Sequence, residues 1–215
     1  NSWVENGAAG FQRDWTLEDF VSSAKDSDVD VVGAIFVECF NDPPVEEAKW
    51  VLQMVDDPRC IVKGVVGHIQ AQKGKQAVVD FLDPLRDQDG KLPKGLKGGR
   101  CVFMHPSLAD QTPAACLEDA FLQGLSELEK NGLLWEFCCR PEMAPNLSQC
   151  CEKFPGMKFI VDHIAHNGNE GGEMEQWGPA MDKLGKLPNV YVKLGACEEW
   201  DVKEPAKYME RAIQA

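Results

Sequence analysis

A short apolar run followed by a helical pattern recurs six times along this chain, and each run ends in or beside a polar or ionisable residue. The runs are Val31 to Phe40, Ile61 to Ile69, Gly98 to Met104, Leu133 to Cys139, Lys158 to His163 and Asn189 to Leu194. Parallel strands that are buried on both faces have this nearly continuous apolar character. The run starts are 25 to 37 residues apart, which is the length of a βα unit. The pattern therefore predicts an α/β fold with parallel strands.

The ends of the runs favour a (β/α) barrel, because such barrels place their functional groups at the carboxyl ends of the strands. A closed barrel needs eight βα units in about 250 residues. This chain has 215 residues and six runs, with no linker that would divide it. We therefore expect residues 1–215 to form one incomplete barrel domain that is truncated at both ends.

The most informative run end is Asp162 followed by His163, because a buried strand rarely ends on two ionisable groups unless they meet a polar cavity or each other. A neutral imidazole there can ligate a metal, polarise a carbonyl or relay a proton. We predict His163 as the catalytic residue. A histidine that only forms a hydrogen bond at the strand end is the structural alternative.

Three further charged residues are predicted to bind substrate. Arg100 lies near a strand mouth, where its planar guanidinium can bind a carboxylate. A surface salt bridge in this acidic protein is the alternative. Glu38 closes the first run and Lys193 lies inside the last, and both charges are costly there unless paired. They either pair inside the barrel mouth or extend separately to solvent. His68 is equally compatible with a site role and with a buried, hydrogen-bonded histidine.

Composition limits the partners. Thirty-five acidic and 22 basic residues give a net charge of -13, which argues against nucleic acid and anionic membrane as partners. No run of 18 apolar residues or signal peptide is evident.

The nine cysteines lack zinc-cluster spacing, and their odd number disfavours a full disulfide framework. We expect a cytoplasmic protein with reduced thiols. No serine-hydrolase elbow, Walker loop or dinucleotide fingerprint occurs.

Several segments, taken in order, resemble one known family. They are Arg13-Asp-Trp-Thr-Leu-Glu-Asp-Phe20, Phe36-Val-Glu38, Val66-Gly67, Lys97-Gly-Gly-Arg100, Pro155 before Ile160-Val-Asp-His163, and Trp177 leading to Leu187-Pro-Asn-Val-Tyr-Val-Lys-Leu-Gly195. Each is weak alone, but together they resemble the amidohydrolase-related family of TIM-barrel hydrolases. They are most similar to the branch with sugar-acid lactonases and 2-pyrone-4,6-dicarboxylate lactonase.

The resemblance implies that the six runs are barrel strands two to seven of a (β/α)8 TIM barrel. His163 then matches the family's strand-six histidine, Arg100 its strand-four arginine, and Lys193 the lysine of its strand-seven motif. Gly195 and Ala196 replace the Ser-Gly of that motif. The family's strand-one His-x-His and strand-eight Asp have no counterpart here, so we expect both strands to lie outside this chain.

The implied activity is hydrolysis of a lactone or related cyclic ester of a small acidic metabolite, and we expect a small acidic molecule as the substrate. The fourth run lacks the lysine that bridges two metals in some members, so a two-metal site is not expected. Similarity to the lactonase branch implies no cofactor, although a single divalent metal is compatible with the family. A metal-dependent decarboxylase of the same fold, with the strand-six histidine as a metal ligand, is one alternative. A non-catalytic barrel is another. We expect an enzyme in the complete protein and no activity from this chain alone. The oligomeric state is not indicated.

Overall fold

A computed structural model describes residues 16–25, 30–57, 60–103, 112–139, 141–166, 174–195 and 205–215. Its centre is a six-stranded parallel sheet in which spatial order follows chain order. The strands are β1 (Ala34–Val37), β2 (Val62–His68), β3 (Leu96–Val102), β4 (Leu134–Cys138), β5 (Phe159–Val161) and β6 (Val190–Val192). The sheet curls into part of a barrel, which confirms the predicted α/β class and parallel topology.

Seven α-helices occur in the described residues. They are α1 (Leu17–Lys25), α2 (Pro44–Val55), α3 (Lys75–Leu82), α4 (Asp119–Lys130), α5 (Ala144–Glu152), α6 (Met174–Leu184) and α7 (Pro205–Gln214). Thr16 and Asp19 cap α1 reciprocally, since each backbone N–H donates to the other side chain, at 2.8 and 3.2 Å. The pattern from Pro113 predicts one long helix, but α4 begins only at Asp119, because Glu118 has extended backbone angles after a short 3₁₀ turn.

The two faces of the sheet differ. Side chains alternate along a strand, and the face towards the helices carries the apolar ones, including the fully buried Trp135, Phe137 and Phe159. Trp135 meets Phe121 of α4 edge to face, with ring centroids 5.4 Å apart. Glu136, between Trp135 and Phe137, must therefore point to the concave face. The sequence pattern correctly predicts Trp135 as a core residue.

Two glycines let the central strands approach their neighbours. A Cβ at Gly98 of β3 would lie 2.2 Å from the backbone oxygen of Leu134 on β4. A Cβ at Gly67 of β2 would lie 2.6 Å from the Phe81 ring on α3. Both distances are shorter than a real carbon contact. These glycines set the close packing that brings the strand ends together.

None of the helices in the described ranges is long and apolar enough to cross a membrane.

Candidate functional site

Each strand supplies one ionisable side chain to a group that we call the charged network. Its members are Glu38 after β1, His68 ending β2, Arg100 in β3, Glu136 in β4, Asp162 after β5 and Lys193 after β6. Basic and acidic groups alternate when the members are followed from contact to contact, in the order His68, Glu38, Arg100, Asp162, Lys193 and Glu136. Because all six strands are parallel, these side chains meet at the carboxyl end of the sheet.

Arg100 occupies the middle of the network. Its Nε donates to Glu38 Oε1 at 2.9 Å, and its Nη2 donates to the Glu38 backbone oxygen at 3.0 Å. Its Nη1 donates to Asp162 Oδ2 at 3.1 Å. The Arg100 side chain is only 14% exposed. The guanidinium thus joins β1 to β5 across the concave face.

Lys193 is the most exposed cation of the network, at 34% of its side chain. Its Nζ donates to Glu136 Oε2 at 2.7 Å. It also lies 2.9 Å from Asp162 Oδ1, a close ion pair whose angle is poor for a hydrogen bond. Since an ammonium carries three N–H donors, a ligand oxygen can receive another. The two carboxylates hold this cation at the mouth.

The structure brings the predicted residues Glu38, Arg100 and Lys193 into one network, the last through Asp162. Both Glu38 and Lys193 are paired inside the mouth, but with other residues rather than with each other: Glu38 with Arg100 and His68, and Lys193 with Glu136 and Asp162. His68 joins them, with Nδ1 3.3 Å from Glu38 Oε2.

Glu136 is not among the residues predicted from the sequence, and Asp162 is named there only as a neighbour of His163. A signal for Glu136 is present, because a lone carboxylate within the otherwise apolar Leu134–Cys138 strand must be paired. Its partner Lys193 is 57 residues away along the chain, however, and no local pattern connects the two residues.

The carboxyl groups of the network differ in their pKa values. Burial alone would raise the pKa of Glu38, but the hydrogen bond to His68 and the charges of Arg100 and His68 lower it below its ordinary value. For Glu136, burial and the nearby Asp162 outweigh the effect of Lys193 and raise the pKa. Glu38 is consequently held as a carboxylate, whereas Glu136 accepts a proton more readily.

His163 lies directly after Asp162 and is half-buried. Burial lowers the pKa of its imidazole, and the charges of Lys193 and Arg100 act in the same direction. Asp162 and a hydrogen bond to the Gly195 backbone oppose this shift without reversing it. The ring is therefore neutral at neutral pH, close to the charged network.

The backbone at His163 is unusual. His163, Ile164 and Ala165 all have left-handed φ angles, of 51°, 51° and 58°. This region is uncommon outside glycine and is a clear outlier for a β-branched residue such as Ile164. Each such residue costs about 1–3 kcal/mol, which the surrounding structure must offset. We call Asp162–His166 the left-handed turn.

Behind the network, Glu47 of α2 is buried and accepts hydrogen bonds from the Cys39 backbone N–H at 3.1 and 3.2 Å. Burial raises its pKa, and the nearby Glu38 adds to the effect. The Cys39 N–H opposes the shift without cancelling it. Glu47 therefore connects the α2 helix to the segment that carries Glu38.

Among the residues that the structure describes, no group of three or more His, Cys, Asp or Glu side chains could hold a metal ion. The carboxylates of the network instead face Arg100 and Lys193. None of the eight described cysteines forms a disulfide bond, and burial raises the pKa of Cys138 to about 12. His105 and the side chain of His166 lie outside the described residues.

The curled parallel sheet agrees with the comparisons with known proteins. The model of the Amidohydrolase family matches residues 73–215, which is more than half of the chain. This chain belongs to the amidohydrolase family. The match confirms the family resemblance and includes Arg100, Glu136, His163 and Lys193.

Two curated relatives are similar to this amidohydrolase. An uncharacterized protein of Sinorhizobium fredii is 26% identical over 233 residues, which cover 99% of this chain and 74% of that protein. The L-fucono-1,5-lactonase of Burkholderia ambifaria is 27% identical over 153 residues, covering 71% of this chain and 48% of the lactonase. The chain thus spans about half of the lactonase and three quarters of the other relative.

Solved structures support the fold. An amidohydrolase from Burkholderia multivorans with bound zinc has a TM-score of 0.75 and 17% identity, covering 100% of this chain and 74% of that one. A probable 2-pyrone-4,6-dicarboxylic acid hydrolase from Acinetobacter baumannii with bound citric acid has a TM-score of 0.62 and 13% identity, covering 93% and 66%. At these identities the similarity concerns the architecture.

Proposed function

We propose that this amidohydrolase hydrolyses a lactone or related cyclic ester of a small organic acid. The observation that carries the proposal is the position of Lys193. Two buried carboxylates hold its partly exposed ammonium beside the neutral imidazole of His163. Fixed donors at the edge of a low-dielectric site are what ester hydrolysis needs, because the reaction develops negative charge on the carbonyl oxygen.

In the proposed reaction, a water oxygen attacks the lactone carbonyl carbon while a base removes one of its protons. The carbonyl oxygen becomes an oxyanion, which Lys193 stabilises by donating a hydrogen bond. His163 donates the single N–H of its neutral ring, which turns from the Gly195 backbone to the oxyanion. The ring C–O bond then breaks, and the proton moves to the departing alkoxide oxygen. The product is an open-chain hydroxy acid. The base that activates the water is the one part for which we propose no residue of this chain.

Arg100 and Glu38 act one layer behind the substrate in this proposal. Arg100 already donates to Glu38 and Asp162, and little of its side chain is exposed. Its role is then to hold Asp162, which in turn positions Lys193. The sequence predicts direct substrate contacts for Arg100 and Glu38. The charged network favours Lys193 as the direct contact.

The charge balance supports an uncharged lactone as the bound form. Glu38, Glu136 and Asp162 outnumber the permanent cations Arg100 and Lys193. Without an excess of positive charge, these residues attract a free carboxylate weakly. A lactone is neutral until hydrolysis creates the acid, and the anionic product would then leave a site that does not retain it. The named activity of the L-fucono-1,5-lactonase is compatible with this substrate class, whereas the probable hydrolase is named for an anionic lactone.

The test is a lactone panel assayed by proton release in a pH-stat, with protein expressed from its complete coding sequence. L-fucono-1,5-lactone represents neutral lactones and 2-pyrone-4,6-dicarboxylate represents anionic ones. We expect hydrolysis of the neutral lactone to exceed that of the dicarboxylate.

Lys193→Met should lower turnover about 10²- to 10³-fold, as expected for loss of an oxyanion donor. Lys158→Met, at the exposed start of β5, should leave turnover unchanged and is the matched control. A folded protein that hydrolyses no lactone, or that releases carbon dioxide instead, would contradict the proposal.

A further inference from the structure

The left-handed turn needs restraints to remain in place, and two hydrogen bonds supply them at Ile164. The Ile164 N–H donates to the backbone oxygen of Lys193 at 3.2 Å. The Ile164 carbonyl accepts a hydrogen bond from Trp177 Nε1 at 2.8 Å. One residue thus connects the backbone of Lys193 to a side chain on α6. The residues on either side, His163 and Ala165, share the left-handed backbone conformation of Ile164.

Trp177 is well placed to act as a rigid restraint. It is fully buried, and its ring packs edge to face against Tyr208 of α7 with centroids 5.4 Å apart. An indole has a single hydrogen-bond donor, and Trp177 uses it for the bond to the Ile164 carbonyl. The aromatic pair therefore fixes the segment that carries His163 relative to α6 and α7.

We propose that Trp177 is a positioning residue, which directs the His163 imidazole towards the substrate by holding the left-handed turn through Ile164. This inference rests on the proposed lactone hydrolysis for its kinetic consequence, but not for its structural one. Without the Trp177 hydrogen bond, the ordinary preference of L-residues for negative φ angles would draw His163, Ile164 and Ala165 out of the left-handed region. The His163 ring would then lose its bond to the Gly195 backbone.

The test is Trp177→Phe, which keeps an aromatic ring against Tyr208 and removes the N–H donor together with part of the indole. Trp135→Phe is the matched control. Trp135 is also fully buried, but its Nε1 has no hydrogen-bond partner among the described residues. In protein expressed from the complete coding sequence, Trp177→Phe should lower kcat for the lactone about 10- to 100-fold with little change in KM, because a misplaced group costs turnover. Trp135→Phe should retain the kcat of the unmodified protein.

A rescue variant separates positioning from simple packing. Glycine adopts the left-handed region without strain, so Ala165→Gly added to Trp177→Phe should hold the turn and recover most of the lost kcat. Ala165 is fully buried and contributes only a methyl group, so this change is mild. Equal losses of kcat in Trp177→Phe and Trp135→Phe, or no recovery in the double variant, would overturn the proposal.

A spectroscopic measurement distinguishes failure of this inference from failure of the proposed function. The ¹⁵N signals of the His163 imidazole report its bond to the Gly195 backbone whether or not any lactone is hydrolysed. They should change in Trp177→Phe and stay unchanged in Trp135→Phe. If the unmodified protein is inactive but these signals behave as expected, the function is wrong and the positioning role holds. If the signals do not move in Trp177→Phe, the positioning role is wrong.

Discussion

Replacing Glu38 with glutamine tests whether the charged network holds the strand ends together. Glu38 is buried and interacts with three partners: Arg100, His68 and the Phe40 N–H. Glutamine keeps the size of the side chain but removes its charge. Arg100 would retain only Asp162 as an anionic partner. The change therefore weakens the centre of the network without creating a cavity.

The expected loss follows from the burial of the pair. Removing one partner of a buried ion pair typically costs about 3–5 kcal/mol, because the other charge is left poorly compensated. For a protein of this size, 1 kcal/mol shifts the thermal midpoint by about 2–4 °C. We therefore expect Glu38→Gln to lower the midpoint by roughly 6–20 °C.

Urea unfolding at several pH values measures the effect. The Glu38 pKa is lowered in the folded protein, so its carboxylate stabilises the fold above the ordinary value of 4.5, and this stability is lost as the pH falls through the folded pKa. The difference between Glu38→Gln and the unmodified protein should thus be full at pH 7 and shrink in acid.

Glu46→Gln is the matched control, because Glu46 forms only a surface pair with Lys49. Such exposed pairs contribute about 0–1 kcal/mol. If Glu38→Gln costs no more than Glu46→Gln, the charged network does not stabilise the fold as argued.

Three further outcomes are expected. Glu47→Gln should be at least as stable as the unmodified protein at pH 8, because the raised pKa of Glu47 makes its ionisation costly in the folded state. In urea unfolding, this advantage should disappear as the pH falls towards 4.5. A loss of stability that does not depend on pH would contradict the prediction. Gly98→Ala should lower the unfolding free energy by about 1–3 kcal/mol or more, since its Cβ meets a backbone oxygen that cannot move aside, whereas an unchanged midpoint would refute the close approach of β3 and β4. Lactone turnover should survive dialysis against EDTA, whereas a loss restored by zinc or manganese would show that the hydrolysis needs a divalent metal.

The topology was predictable because it depends on local information. Each βα unit buries its own apolar strand, so the run spacing identifies the strands and their parallel order without any knowledge of distant contacts. The exact ends of the strands were harder to predict. Val32 belongs to an apolar run but is exposed, and β1 begins only at Ala34, because strand pairing rather than hydropathy decides where a strand starts.

The site was predictable only in part, for a similar reason. Arg100, Lys193 and His163 stand out as charged or polar groups at the ends of apolar runs. Glu136 does not, because its importance comes from Lys193 on a strand distant in sequence. The left-handed turn is equally hidden, since nothing in the residues Asp162–His166 resembles a glycine-rich turn. Its conformation depends on tertiary contacts such as that of Trp177.

The most direct test of the account is the turnover of His163→Asn on a lactone, measured per folded molecule in protein expressed from its complete coding sequence. Asparagine tolerates the left-handed region well, so the turn should persist and the thermal midpoint should stay nearly unchanged. Turnover should fall about 10²- to 10³-fold, as for loss of one oxyanion donor. If the midpoint collapses while turnover per folded molecule survives, His163 is structural and the proposed site is wrong.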